Sequence, residues 1–523
     1  MPDCGAEPST VSAADERRLE VAVFEGVGHH GAVTTGPEQL GARIARGSAW
    51  TAARQGVQQA SALIQLVVVA RLVPPAEVGL FAMATLVLSI TRALTETGFE
   101  QALIQRSQLD DDTLDVGFSV VLLRAALVAG VMAGGAQLFA GFFAEARVAE
   151  LLRVLAIGML IEGFTNNRVA MFQRELDFRR YFFFHAAGQS IGLVTTLLSA
   201  YWLHNVWAVV YGQLAGAGAR VLASYALTSR WPRLRFRFDI ARDLMSYGRW
   251  VGASSILLFL LVNGDNLFIG KVIGATALAY YAWAYQLANL PALFITQILS
   301  SVMFPALAAV RGEPARLGAL FVRSMRLTLL LSLPSAMLIA VLCEPFAQAL
   351  LGARWLPIVP ITYALSCFGV MRALGASAGA LFLAVGRPDL RTKLQVAQLL
   401  VFGATIYPLY LRFGVLGVAS AVSLYGCSNV YAAYLCFRLC QLAPSLLWRP
   451  ALRVGAATLL GAAFAWLPAH AWLGSRPLLG LIVGAASGAV ATLGALWWLE
   501  RHDTDGYRHE LEQALRALQR RQA

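Results

Sequence analysis

The stretch LLVNGDNLFIGKVIGATALAYYAWAY, residues 260–285, decides how the chain is read. It is apolar along most of its length, yet Asp265 and Lys271 lie inside it, flanked by Asn263 and Asn266. The two charges are six residues apart, about 240° around a helix, so they do not share a face and do not pair. Slid back by 200 residues, the same pattern reappears. RLVPPAEVGLFAMA (71–84) falls on KVIGATALAYYAWA (271–284), Arg71 on Lys271, Phe81 on Tyr281, and Trp50 on Trp250. Each copy reads as an aromatic, about twenty apolar positions, a cation, a short turn and an aromatic-rich second span. Repeats of this kind are common in transporters. Arg71 and Lys271 are expected to mark the point where a membrane helix meets the interface, with their long side chains snorkelling to it.

The composition fits a chain whose main solvent is lipid. Of 523 residues, 58% are hydrophobic and 14% charged, against roughly 25% charged in soluble domains. The net charge of +12 invites a nucleic-acid reading. The arginines, however, lie in short clusters between apolar runs and not on one soluble face, so no nucleic-acid partner is expected. Cys4, Cys343, Cys367, Cys427, Cys436 and Cys440 form no CxxC pair, which supports neither a disulfide framework nor a zinc site.

Crossing the hydrocarbon takes about 20 residues, and about fourteen candidate spans meet that length. They begin near residues 50, 78, 116, 149, 181, 205, 249, 276, 321, 358, 393, 415, 451 and 477. Five alternate loops, after even-numbered spans, hold twenty Lys and Arg; the five on the other side hold four. That asymmetry predicts an even count with both termini in the cytoplasm. The acidic SQLDDDTLD (107–115) breaks the pattern and is expected as a solvated loop with a helix cap.

The expected fold is therefore an all-α polytopic membrane protein. It consists of two six-helix bundles related by a parallel pseudo-repeat, plus two extra helices. Residues 1–46 are read as a disordered cytoplasmic tail, 47–228 as the first bundle, 229–248 as a basic cytoplasmic linker and 249–440 as the second bundle. Residues 441–499 supply the two additional helices, and 500–523 an amphipathic cytoplasmic tail on the membrane surface.

Polar groups inside the spans are the candidate site. Arg54, Gln58, Ser61 and Gln65 fall at i, i+4, i+7 and i+11, one stripe of a helix that should face protein or water and not lipid. Asp265 is the repeat counterpart of Gln65 and is expected on the equivalent face of span 7, across a wet cleft from Arg54 and Gln65. Arg124 and Arg372 lie deep, where an unpaired charge is expensive, and complete the cavity set. Arg92 and Arg220 are read as snorkelling from helix ends, and Glu162 as a partner for an arginine in its own bundle.

Several further stretches carry a family resemblance. DNLFIGKVIGATALAYYAWAYQLANLP (265–291), TGFEQALIQR (97–106), RELDFRR (174–180), SSVMFPALAAVRG (300–312) and ALFLAVGRPDLRTK (380–393) occur in an order that resembles bacterial polysaccharide-biosynthesis flippases. These are the Wzx-type members of the multidrug/oligosaccharidyl-lipid/polysaccharide exporter superfamily, and the resemblance runs over about residues 45–440. It implies an inner-membrane protein with a central cavity opening alternately to each side. The implied substrate is an undecaprenyl-diphosphate-linked glycan, surrounded by membrane lipids and passed to a glycan polymerase and export machinery. No cofactor is implied; a coupling proton or cation at Asp265 is the one small ligand this reading admits. Arginine in such a cavity suits diphosphate, because the guanidinium binds two oxygens in a fork and stays charged.

Rival readings are an ion-coupled small-molecule exporter, a membrane glycan polymerase or ligase, and a non-transporting scaffold. A drug exporter calls for acidic cavity charges. A polymerase calls for a large outward loop, whereas the longest one here is about fifteen residues, near CEPFAQALLGARWLP (343–357).

Overall fold

The computed structural model describes residues 37–95, 111–175, 177–235, 259–310, 313–443, 445–472 and 476–499, and among them all regular structure is helical. The helices are α1 (Pro37–Leu72), α2 (Pro75–Thr95), α3 (Asp111–Gly134), α4 (Ala136–Phe143), α5 (Arg147–Gly163), α6 (Val169–Arg174), α7 (Phe178–Leu203) and α8 (Trp207–Leu227). A helix over 259–272, α9, opens the second half. It is followed by α10 (Ala275–Ala309), α11 (Pro314–Phe346), α12 (Ile358–Val385), α13 (Pro388–Phe413), α14 (Val415–Leu439), α15 (Ser445–Ala471) and α16 (Pro477–Leu499).

Nine of these, α2, α3, α7 and α11–α16, are long and apolar enough to cross a membrane, among the described residues. The expected fourteen are those nine together with α1, α5, α8, α9 and α10. The five carry polar groups: Arg54 and Gln65 on α1, Glu162 on α5, Gln213 and Arg220 on α8, Asp265 on α9, Asn289 on α10. Large apolar side chains such as Leu123, Leu222, Leu400, Leu459 and Val490 are exposed, as a lipid-facing surface requires.

The repeat is visible in the backbone. α1 ends at Leu72 and α2 starts at Pro75; α9 ends at 272 and α10 starts at Ala275. In the first copy Pro75 sits in the opening turn of α2, where its missing N–H costs nothing. In the second, Gly274 turns the chain at φ 111°, a conformation open to glycine.

Three expectations change. α1 begins at Pro37, ten residues inside the stretch expected as a tail, with proline at the helix start; residues 1–36 and 500–523 lie outside the described residues. The third span is broken into α3 and α4 at Gly134–Gly135, a pair with low helix propensity. The acidic stretch is also more than a solvated loop. Asp111 pairs with Arg168 (2.8 Å) and Arg230, and Asp112 with Arg235. Asp115 is buried and accepts from the Arg233 N–H at 3.2 Å, while Ser119 accepts from the Arg235 N–H at 2.8 Å. The start of α3 thereby holds the first residues of the basic linker against the N-terminal half.

α1, α7, α8, α5, α3 and α2 pack among themselves, as do α10, α12, α14, α13 and α11, and the α15–α16 hairpin leans on α11. The halves meet through α2 and α10. Gly79 is essential there, since a Cβ on it would lie 1.8 Å from the Ala275 carbonyl oxygen. Around that crossing, Arg71 donates to the Leu350 carbonyl at 2.7 Å and to the Ala349 carbonyl, and the Trp355 indole donates to the Ala70 carbonyl at 2.9 Å. Lys271 lies 4.9 Å from the Phe142 ring. The two cations read as boundary markers therefore each reach across to the other half. One apolar cluster, from Leu66 through Leu152 to Tyr281 and Trp355, runs through both halves at this end. Toward the other end the clusters are separate: Val169, Phe172 and Phe184 in the first half, and Leu307, Phe321, Phe382 and Phe437 in the second.

Gly79→Ala is expected to lower stability by about 1–3 kcal/mol, as overpacking of a tight contact does. Gly56→Ala, where a Cβ meets nothing within 4 Å, is the control and should not destabilise. Thermal melting of the detergent-purified protein reads both.

Candidate functional site

The polar side chains of the N-terminal half converge because their helices present them inward. α1 packs on α7, and α7 on α8. On α1 the stripe places Arg54 against α7, its guanidinium 5.8 Å from the Tyr181 ring centroid and its Nη1 donating to Gln58 Oε1 at 3.4 Å. α7 carries its own stripe, His185, Gln189 and Thr196, at i, i+4 and i+11. α8 adds Gln213 and Arg220, at i and i+7. Close approach of α7 to α8 is set by Gly192 and Gly212, since a Cβ on Gly212 would lie 1.8 Å from Thr196 Oγ1.

Two adjoining cavities result. The first, about 200 Å³, is lined by Arg54, Gln58, His185, Gln189 and Arg220 with Phe182. Arg54 Nε and His185 Nε2 are buried there without a hydrogen-bond partner. The second, about 290 Å³, is lined by Gln65, Gln189, Gln213 and Thr196 together with Arg92, Glu162 and Arg220. Gln189 and Arg220 belong to both. Glu162 holds the junction: its carboxylate accepts from Arg92 Nη2 at 2.6 Å and from Arg220 Nη2. Arg92 also lies against Met159 Sδ, 3.0 Å from Nη2.

The C-terminal half spends its polar groups on itself. Asp265 is 4% exposed and accepts from the Tyr281 hydroxyl at 2.6 Å and from the Asn266 backbone N–H at 2.7 Å. Arg372 donates to the Tyr285 hydroxyl at 2.9 Å and to Asn289 Oδ1 at 3.4 Å. Gln398 donates to Ser428 and Asn429.

Of the expected cavity residues, the structure brings Arg54, Gln58 and Gln65 onto cavity walls, within one half and not across a cleft between halves. Asp265 and Arg372 are inside the other half, paired with tyrosines from α10, and line neither cavity. Arg124 sits half-buried on α3, away from both. Arg92 and Arg220, expected to snorkel, instead share Glu162, which bears out the reading of that carboxylate as an arginine partner. Sequence reasoning missed His185, Gln189 and Gln213. The spacing on α7 was the available signal, the same kind of stripe as on α1. Among the described residues no group of His, Cys, Asp and Glu is arranged to hold a metal.

The fold places polar cavities between apolar helices and joins two half-structures at one end. It is similar to a solved lipid II flippase, MurJ, in an inward closed conformation, with TM-score 0.69 and 13% identity over 87% of this chain and 98% of that one. Residues 68–360, more than half of the chain, match the polysaccharide biosynthesis protein family, and the chain belongs to that family. Among its relatives are the lipopolysaccharide biosynthesis protein WzxC of Escherichia coli and the teichuronic acid biosynthesis protein TuaB of Bacillus subtilis. WzxC is 23% identical over 74% of this chain and 79% of its own length. TuaB is 26% identical over 60% and 65%, respectively.

Removing the shared carboxylate leaves the Arg92 and Arg220 guanidiniums near each other without the anion between them. Glu162→Gln is expected to lower stability by about 1–3 kcal/mol, between the exposed and buried limits for such pairs. Adding Arg92→Gln should restore part of the loss. A double-mutant cycle on melting temperature tests this, and additive losses would remove the coupling.

Proposed function

We propose that the protein is an inner-membrane flippase that moves undecaprenyl-diphosphate-linked oligosaccharide units for exopolysaccharide, capsule or O-antigen synthesis. The observation that carries this reading is the basic cavity, in which Arg54, Arg220 and His185 converge and two of their nitrogens have no partner among the described residues. A diphosphate headgroup supplies the oxygens such donors need, and in a water-poor site charged hydrogen bonds to it are strong. The family and the relatives in lipopolysaccharide and teichuronic acid synthesis support the substrate class.

The positive-inside asymmetry places both termini in the cytoplasm. On that orientation the Gly79–Ala275 crossing, Arg71 and Trp355 close the periplasmic end, and the separation of the two apolar clusters lies on the cytoplasmic side. Arg54, about one turn inside the expected membrane span of α1 on that side, then stands at the mouth through which a lipid-linked glycan enters. Residues 47–228 and 249–440 act as the two moving bundles, and rocking about the α2–α10 contact exchanges access between the two faces. Asp265 is the group best placed to take a coupling proton or cation. A periplasmic polymerase takes up the translocated unit. A small-molecule cation exporter fits less well, since among the described residues the cavity walls carry Arg54, Arg92 and Arg220 with the carboxylate of Glu162.

In a deletion strain the lipid-linked glycan should accumulate in the cytoplasmic leaflet. Wild-type protein should restore export. Arg54→Ala at normal protein level should weaken it by about tenfold or more, the loss of one charged hydrogen-bonding group, with Arg54→Lys intermediate. Full export with Arg54→Ala would remove the basic cavity from the pathway.

A further inference from the structure

The α15–α16 hairpin lies outside the two six-helix bundles, and the transport cycle proposed above makes no use of it. Glycines on α16 let it pack closely on its neighbours. A Cβ on Gly484 would stand 2.8 Å from the Ala465 carbonyl oxygen, and one on Gly488 2.7 Å from Leu338 Cδ2 on α11. Just beyond, α11 runs through Glu344 and Pro345 into a widened, π-helical turn, Ala347–Leu351. Such turns are frequent at functional sites. α16 and α1, one from the hairpin and one from the N-terminal half, both lie against this turn.

Residues 344–355 therefore touch three bodies. In the middle, the Ala349 and Leu350 carbonyls accept from Arg71 of the N-terminal half. At the far end Trp355, stacked on Trp283 with ring centroids 3.8 Å apart, donates its indole N–H to the Ala70 carbonyl. At the near end Glu344 meets the hairpin, its Oε2 3.6 Å from His470 Nε2 on α15. The contacts that join the halves and the one that holds the hairpin thus share one continuous stretch of chain.

The His470 ring has a fixed polarity. Its Nδ1 lies 3.1 Å from the Trp466 carbonyl oxygen, and the ring stacks on the Trp466 indole at 4.7 Å. A carbonyl only accepts, so Nδ1 carries a proton. The neutral ring then turns the lone pair of Nε2 toward the Glu344 carboxylate, acceptor against acceptor. Protonated at Nε2 as well, the ring donates to the carboxylate and pairs with it. Imidazole makes that change between about pH 5 and pH 8. Of the other titratable groups here, Cys343 and Tyr363 lie beside Glu344, and Arg476 stands at the hairpin turn. Pro477–Leu499 of α16 and the turn Ala347–Leu351 carry none.

We propose that His470 is a positioning residue for the closure between the halves. Protonated, it clasps Glu344, and the α15–α16 hairpin holds residues 344–355 against α1; neutral, it lets them go. The stabilising pair exists only while Nε2 is protonated, so acid tightens the closure and rising pH loosens it. On the orientation proposed above this end faces the periplasm, and the clasp reads the pH outside the inner membrane. Only the naming of the side rests on that reading.

Hydrogen–deuterium exchange of the full chain in nanodiscs tests this, read on peptides covering residues 347–356. Comparing each variant with the wild type at one pH cancels the intrinsic pH dependence of amide exchange. His470→Phe keeps the stack on Trp466 and removes both ring nitrogens. At about pH 5.5 the wild type should exchange roughly three- to fivefold more slowly than His470→Phe, the size of a partly exposed ion pair, and at about pH 8 the two should match. Glu344→Gln should behave as His470→Phe does. His470→Lys, a permanent cation, should stay slow at both pH values. Peptides from α7 and α8, remote from the clasp, should be unchanged throughout, which reports an intact fold. A ratio of variant to wild type that is the same at both pH values overturns the proposal, since a merely structural imidazole gives a loss without pH dependence. Release of the segment at about pH 8 in His470→Lys also overturns it. No substrate enters the measurement, so neither result touches the flippase reading.

Discussion

A carboxylate held between two guanidiniums at the wall of a polar cavity is the constraint on which the rest of the site depends. Glu162 ties α5 to α2 through Arg92 and to α8 through Arg220. Charges in such surroundings persist only when paired and hydrogen-bonded. Through this pair Arg220 is fixed where both cavities can use it. The alternative, an arginine reaching to the interface, would leave the two cavities as separate polar defects.

The halves share a pattern and differ in what they do with it. At the α1–α2 and α9–α10 junctions the backbone repeats after 200 residues, and the terminal cation of each first helix crosses to the opposite half. Deeper in, the equivalence stops. Gln65 faces an open cavity, while its counterpart Asp265 is closed in by Tyr281. In the C-terminal half Asp265 and Arg372 are hydrogen-bonded to residues of that half, whereas in the N-terminal half Gln65 lines a cavity.

How much was legible in the sequence follows from what sets each feature. Span number, the repeat and the polar stripe of α1 were readable, because hydropathy and helical spacing are local properties. The direction of the stripe was not. Arg54 and Gln65 turn toward α7 within their own half, a choice made by Gly192 and Gly212 bringing α7 and α8 together. Asp265 was expected to face a cleft because the repeat makes it the counterpart of Gln65; the hydroxyl of Tyr281, sixteen residues on, partners it instead. Arg92 and Arg220 were read one at a time as snorkelling cations, and only the fold shows that Glu162 lies between them. The break at Gly134–Gly135 was visible as a glycine pair and passed over because the apolar run continued through it.

The most direct test of the account is translocation in proteoliposomes of purified protein. Undecaprenyl-diphosphate-linked glycan is placed in one leaflet, and its appearance in the other is followed by enzymatic accessibility of the sugar. The account predicts movement well above that in protein-free vesicles, lost when Arg220→Ala removes the guanidinium common to both cavities. Movement no faster than in protein-free vesicles, or undiminished in Arg220→Ala, would contradict it.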